Sequence, residues 1–182
     1  MSLYLPVWVI NAEHLRNVPG RKTDVADSVW ITQLLEHGLV RPSFVPAKPI
    51  RMLRDLTRHG RRLSEERTRV IQRLEKVLQD SGIKLTSVAS TILTKSGRAI
   101  LQALLQGETD SAVLAELAKG RLRSKIPALQ EALSNRFRPE HHGALVKQLL
   151  EHVDFLDAAI AETHERVAVR LRPVEPMVEL IT

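Results

Sequence analysis

Residues 50–80 read IRMLRDLTRHGRRLSEERTRVIQRLEKVLQD, and this stretch decides the fold class. Its apolar side chains recur at an alternating spacing of three and four residues: Leu53, Leu56, Leu63, Val70, Leu74 and Val77. Gly60 and Arg67 occupy the two seam positions in between. This a/d spacing is typical of a long helix that packs against a second helix along a narrow seam.

A second seam with the same spacing lies further along the chain and supplies the partner helix. Its positions are Leu145, Leu149, His152 (or Val153), Leu156, Ile160, Thr163, Val167 and Leu171, with Pro173 and Pro176 after them. Three short helices are expected between the seams, over residues 97–105, 110–118 and 124–133. The two seams therefore predict a long antiparallel helical coiled-coil arm that returns on itself, with a small helical insert.

The N-terminal part has a different pattern. Residues 3–12 form an apolar, β-branched run that predicts a short buried strand, and residues 24–36 predict a helix that ends at Gly38. Three prolines then break regular structure between residues 40 and 49. With aromatic residues at only 3% and hydrophobic residues at 43%, we expect a mainly α fold built from Leu, Val, Ile and Ala.

Composition also excludes several kinds of site. The 182 residues contain no cysteine, so disulfides and cysteine-type zinc sites are excluded, which fits a cytoplasmic location. No run of about 18 apolar residues exists, so no membrane span is expected. The net charge of +6 sits in one segment, because residues 48–76 hold ten Lys or Arg and four acids. Such a local excess indicates contact with a polyanion.

The basic side chains of this segment recur at helical spacing and form the first candidate binding surface: Arg51, Arg54, Arg58, Arg61 (or Arg62), Arg69, Arg73 and Lys76. A stripe of this kind can follow nucleic-acid phosphates. The alternative is a solvated coiled-coil face with pairs such as Glu65–Arg69. A smaller basic cluster lies ahead of the last short helix, Gly120-Arg121-Leu122-Arg123-Ser124-Lys125, with Arg121 and Arg123 as its candidate binding residues. Taken alone, such a cluster is more typical of a solvated turn than of a phosphate site. His141 and His142 are interpreted as surface histidines, because adjacent residues on a helix do not share a face.

Asp24 and Asp27 are the candidate catalytic pair. Residues three apart at a helix start share a face, so both carboxylates can point at one site. Clustered carboxylates hold the divalent metals that cut phosphodiesters. The alternative uses the same atoms, with Asp24 as N-cap and Asp27 as the third residue of a capping box.

Several stretches together resemble one family, the bridge-RNA-guided DEDD transposases of the IS110 class of insertion sequences. They are Arg21-Lys22-Thr23-Asp24-Val25-Ala26-Asp27-Ser28, residues 38–46, residues 50–58, Glu65-Glu66-Arg67-Thr68, Ile83-Lys84-Leu85, Ser96-Gly97-Arg98 and Gly120-Arg121-Leu122-Arg123. The resemblance runs from about Val7 to Leu171. Ser28 departs from it, because the family usually has Ala there.

The resemblance implies roles for the two acids. Asp24 and Asp27 match the last two acids of a quartet that binds Mg²⁺ in a RuvC-like, RNase H-type domain. The first two acids of the quartet belong to strands that these 182 residues do not include, and Glu13 does not match the family's Glu. The serine nucleophile of the family lies in a C-terminal domain that is also not included. We therefore expect a central fragment that is catalytically incomplete alone.

The resemblance also implies partners and an organisation of the chain. It implies DNA, a structured guide RNA and a homodimer or larger oligomer formed through the coiled coil, with Arg21 and Lys22 added to the basic residues that bind nucleic acid. We expect the end of a RuvC-like domain in residues 1–45, the first long basic helix in 46–82, a small helical subdomain in 83–139, the return helix in 140–173 and a linker in 174–182.

Two other interpretations of the whole chain stay open. One is a helical dimerisation protein that assembles with, or regulates, a full-length transposase. The other is a chain whose N-terminal part does not fold stably, because the strand over residues 3–12 has lost its neighbours.

Overall fold

The computed structural model describes residues 7–11 and 26–172, except for the side chains of residues 26 and 27. The chain divides into two compact units, Met1–Met52 and Leu53–Thr182. Within the described residues the regular secondary structure is helical and includes no β-strand. The predicted mainly α class is therefore confirmed. No helix in this part of the chain is long and apolar enough to cross a membrane.

The first unit contains helix α1, Ala26–Glu36. Its end was predicted at Gly38, and the structure agrees, because Gly38 has φ +67° and closes the last turn. Gly38 N donates to Leu35 O at 3.1 Å, and Leu39 N donates to Leu34 O at 2.9 Å. These two bonds satisfy carbonyls that a helix end otherwise leaves unpaired.

The strand prediction for residues 3–12 is wrong for residues 7–11, which form no strand. Residues 3–6 and 12 lie outside the described residues. Val7 is 84% exposed, and Val9 O accepts one hydrogen bond, from Ser43 N at 2.7 Å. A strand requires a ladder of hydrogen bonds to a neighbour, which an apolar, β-branched sequence favours but does not itself provide.

Helix α2, Lys48–Asp80, is the long helix that the opening stretch predicts, and it begins two residues earlier than residue 50. Pro49 is tolerated there because the first turn needs no backbone donor. The helix ends as predicted at Ser81 and Gly82. Gly82 has φ +91°, and the reversal is closed by Ile83 N, which donates to Leu78 O at 2.9 Å.

The insert consists of short helices, as predicted, with shifted ends. They are a 3₁₀ turn Leu85–Ser87, α3 Lys95–Leu105, α4 Ser111–Glu116, a 3₁₀ helix Gly120–Lys125 and α5 Ile126–Ala132. Side chains cap two of these helices. Thr94 accepts from Gly97 N at 3.0 Å, and Asp110 accepts from Ala112 N at 2.8 Å.

A single π turn, Pro139–Gly143, leads into the return helix α6, Ala144–Leu171. Contacts between α2 and α6 run in opposite order along the two sequences. Gly60 faces Thr163, Arg67 is bonded to Asp157, and Val70 packs with Val153. The two helices therefore run antiparallel.

Two apolar clusters hold this second unit together. The base core joins the ends of α2 and α6 to the insert, and consists of Leu74, Leu78, Ile83, Leu85, Ala89, Ile92, Ile100, Leu101, Leu104, Leu114, Ala115, Ala118, Leu129, Leu133, Phe137 and Val146. The arm core lies between α2 and α6 and consists of Val70, Val153 and Leu156, with Leu93 of the insert packed against it.

In the arm the predicted seam positions Val70, Leu156 and Thr163 are buried, but at the base the predicted positions are wrong. Leu145, a predicted seam position, is 41% exposed, and its neighbour Val146 is buried instead. On α2 the fully buried residue is Leu78, while the predicted Val77 is half-buried. The reason is that here the helices pack on the insert as well as on each other, so the buried side is wider than a two-helix seam.

Candidate nucleic-acid interface

In the second unit, helix α2 carries a set of exposed cationic side chains, here called the basic face: Arg54, Arg58, Arg61, Arg62, Arg69, Arg73 and Lys76. All were predicted as binding residues from the sequence. Arg51, the remaining predicted residue of this helix, is also exposed and belongs to the first unit.

Helix geometry places the basic face opposite the seam. With 3.6 residues per turn, its seven residues fall within an arc of roughly 120°, and the seam residues Gly60, Val70 and Leu74 lie on the other side. The face extends for about 33 Å at 1.5 Å per residue. The same periodicity that buries one side of α2 therefore concentrates positive charge on the other.

Arg67 is the exception among the arginines of α2, because it points into the seam. Its guanidinium forms a bidentate pair with the carboxylate of Asp157 on α6, through Nε to Oδ1 and through Nη2 to Oδ2 at 3.3 Å. The imperfect seam position noted in the sequence is thus filled by an ion pair between the two helices. Its role is structural, and it is not part of the basic face.

Acidic neighbours neutralise little of the basic face. Arg61 Nε pairs with Glu65 Oε1 at 3.0 Å, so the Glu65–Arg69 pair considered from the sequence is wrong in its partner. Arg73 Nε donates to Arg69 O at 3.5 Å. Within the part of the chain that the structure describes, Arg54, Arg58 and Arg62 form no ion pair, so their guanidinium groups remain available to a ligand.

The second predicted basic cluster lies on the 3₁₀ helix Gly120–Lys125 of the insert. Arg121 and Arg123 are both exposed, and Arg123 is 3.7 Å from Glu116. Arg121 lines an open cleft with Lys119 and Lys125. These two lysines were not among the residues predicted to bind nucleic acid, although they flank the arginine pair and were visible as part of the same basic run.

The side chains of the candidate catalytic pair, Asp24 and Asp27, lie outside the described part of the structure. Asp24, Arg21 and Lys22 lie outside the described residues, and Asp27 belongs to α1 with its side chain outside them. Among the described side chains, no group of three or more His, Asp or Glu is arranged to hold a metal ion.

The two adjacent histidines, His141 and His142, lie in the turn that starts α6 and make local contacts there. His142 Nδ1 accepts from Arg138 N at 2.9 Å, and its ring is 5.5 Å from the ring of Phe137. His141 is exposed, as predicted, but His142 is half-buried. Both side chains are therefore explained by the turn that starts α6.

Comparison with known proteins gives one family. Residues 3–83 match the DEDD-type family model of the IS110 class, whose description is transposase. The matched stretch includes α1 and the whole of α2, so the basic face lies inside it. The search of curated proteins found no match, and neither did the search of solved structures.

Proposed function

Because residues 3–83 belong to the DEDD-type transposases of the IS110 class, we propose that this chain binds DNA and a structured guide RNA during DNA transposition in the cytoplasm. The observation that carries the proposal is the basic face of α2, which lies inside the family match and turns away from the helix that α2 packs against.

Charge and shape both support a phosphate-binding role for this face. Seven cations along about 33 Å of rigid helix can follow a phosphate backbone. Arginine is suited to this contact, because its planar guanidinium donates two parallel hydrogen bonds to a phosphate. Phosphate contacts fix position and carry no sequence information directly, so we infer that this face supplies affinity and position.

The test compares binding at several salt concentrations for the full chain and a variant with Arg54→Gln, Arg58→Gln and Arg62→Gln. Ligands are a duplex DNA and a structured RNA hairpin of equal length. Each phosphate contact contributes about one to the slope of log K against log salt, so the variant should lose about three from that slope and bind at least tenfold more weakly.

A matched control removes the same charge from another surface. Lys147, Arg166 and Arg170 are exposed on α6 and lie off the basic face, so their replacement by Gln should leave the salt slope within about one of wild type. Equal losses in the two variants would mean that only net charge matters, and would reject the basic face as a binding surface.

For the chemistry, we propose that Asp24 and Asp27 hold Mg²⁺ as part of a carboxylate set. Two carboxylates at i and i+3 supply the oxygen ligands that Mg²⁺ prefers, and the metal would stabilise the charge that develops on the transferred phosphate. A polypeptide of these 182 residues carries two of the four acids, so we expect it not to nick DNA alone. Nicking of plasmid DNA by the purified chain in Mg²⁺ would contradict this.

A second candidate function, helical self-association, is favoured by a different observation. Phe155 and Val169 on α6 are 66% and 55% exposed, whereas the seam residues Leu74 and Val153 are buried within one chain. We infer that the coiled-coil arm, if it dimerises, uses the outer side of α6 and not the seam. Light scattering of wild type and Phe155→Glu tests this, and an unchanged mass in both would reject it.

A further inference from the structure

A cleft of about 320 Å³ opens in the insert, where α3 begins beside the 3₁₀ helix Gly120–Lys125. Its polar lining consists of Ser90, Thr94, Ser96, Lys119, Arg121 and Lys125. This volume is at the lower end of the roughly 300–1,000 Å³ typical of ligand sites. The cleft therefore has room for a small group and not for a large ligand.

The charge around the cleft has one sign. Lys119, Arg121 and Lys125 line it, and no acidic side chain of the described residues does. Glu116 pairs with Arg123 at 3.7 Å, and neither of these residues lines the cleft. Lys125 is held in place, because its Nζ donates to Val88 O at 3.3 Å. A concave surface with charges of one sign concentrates the field and attracts the opposite ion.

Ser96 adds a buried donor to the lining. It is only 4% exposed, and its Oγ accepts a hydrogen bond from Lys119 N at 2.8 Å. A hydroxyl also has one proton to donate, and Ser96 lines the cleft, so this group can donate to a ligand there. Its bond to Lys119 N fixes this hydroxyl in the wall of the cationic cleft.

The backbone at the start of α3 also favours an anion. Its first helical bond runs from Arg98 N to Thr94 O at 2.8 Å, and Gly97 N is taken by the Thr94 hydroxyl. The amides of Lys95 and Ser96 precede these bonds, where no helical carbonyl can accept from them. They add partial positive charge to a cleft that already carries three full charges.

We propose that this cleft binds a phosphate group, held by Lys119, Arg121 and Lys125 with the Ser96 hydroxyl as an additional donor. The group is either a diester of a nucleic-acid backbone or a phosphate monoester, since both present the same oxyanion. The cleft is separate from the basic face, so the proposal stands or fails independently of nucleic-acid binding by α2.

The test uses the full chain and follows backbone amide resonances by NMR at constant ionic strength, with sodium phosphate in one titration and the dinucleotide thymidylyl-thymidine in another. Two variants are compared with wild type: Lys119→Gln with Arg121→Gln and Lys125→Gln, and the variant with Arg54, Arg58 and Arg62 replaced by Gln. Ser96→Ala supplies a milder change in the cleft, and the unperturbed spectrum of the rest of the insert reports that each variant is folded.

We expect saturable shifts of the Ser96, Lys119 and Leu122 amides, retained in the α2 variant, lost in the triple cleft variant and at least threefold weaker in affinity in Ser96→Ala. Shifts by the dinucleotide would assign the cleft to a backbone diester, and shifts by inorganic phosphate alone would assign it to a monoester. Non-saturable shifts with both probes, or equal shifts in the triple cleft variant, would overturn the proposal.

Discussion

The same two helices are held together in two different ways at their two ends. At the base, α2 and α6 share a core with the insert, whose fully buried side chains include Leu74, Leu78 and Val146. In the arm the buried apolar side chains are Val70, Val153 and Leu156. A small-residue contact, Gly60 with Thr163, and an ion pair, Arg67 with Asp157, complete the arm.

The contrast between base and arm separates the part of this unit that supplies stability from the part that carries the candidate binding surface. Free energy from burial grows with the apolar area removed from water, so the base supplies most of it. The arm has little apolar surface to bury, and its outer side carries charge. We therefore expect the arm to open locally before the base unfolds, and to be the part whose surface can be altered without loss of the fold.

Leu104→Ala should have the largest effect, because Leu104 is fully buried in the base core and its truncation leaves a cavity. We expect a loss of about 2–5 kcal/mol in the free energy of unfolding. Urea denaturation followed by circular dichroism measures it.

Leu156→Ala is the matched change in the arm, where Leu156 is also buried. We expect a loss near the lower end of that range, because two helices with few buried neighbours can close around a smaller side chain. An equal or larger loss than in Leu104→Ala would show that the arm and the base contribute alike, and would refute the comparison.

Gly60→Val should have an intermediate effect confined to the arm. A Cβ at Gly60 would lie 3.3 Å from Cγ2 of Thr163, so the two further methyl groups of valine force the helices apart. We expect a cost of about 1–3 kcal/mol and faster amide exchange in residues 53–63 and 163–171.

The amides of residues 95–118 provide the internal reference for this change, since they lie in the insert. Gln72→Val, on the exposed side of α2, controls for placing a β-branched residue in the helix. Faster exchange throughout the insert in Gly60→Val would mean that the arm and base unfold as one.

Arg67→Gln should have the smallest effect. The side chains of Arg67 and Asp157 are 33% and 41% exposed, so solvent screens the pair and we expect a change of only about 0–1 kcal/mol. Asp157 also keeps a second cation, Arg98, at 4.0 Å. Thermal denaturation of Arg67→Gln beside Asp157→Asn measures this, and a loss above 2 kcal/mol in either would place the ion pair among the main supports of the arm.

Sequence periodicity predicted the parts of the fold that depend on local rules. It predicted α2, α6 and the helix ends at Gly38 and Gly82, because spacing and left-handed glycines act over a few residues. It also predicted each residue of the basic face, since charge opposite a seam follows from the same period.

The errors come from contacts that no local pattern encodes. Residues 7–11 have the composition of a strand but do not form one, and Leu145 has the spacing of a seam but lies beside a wider core. The cleft joins Ser96 to Lys119 across a sequence separation of 23 residues, so only the packing of α3 against the insert could reveal it. The roles of Asp24 and Asp27 remain predictions from resemblance.

The contact between Gly60 and Thr163 has a topological consequence. Helix α6 brings the chain back beside α2, so that Thr163 lies within one interhelical distance, about 8–10 Å between axes, of Gly60. Residues 61–162 therefore form a segment whose first and last residues lie side by side. Segments with adjacent ends can be inserted into, or removed from, a surface turn without moving the structure on either side. The hairpin is thus a transplantable module, suited to carrying the cleft of the insert and the Arg61–Lys76 part of the basic face into another scaffold.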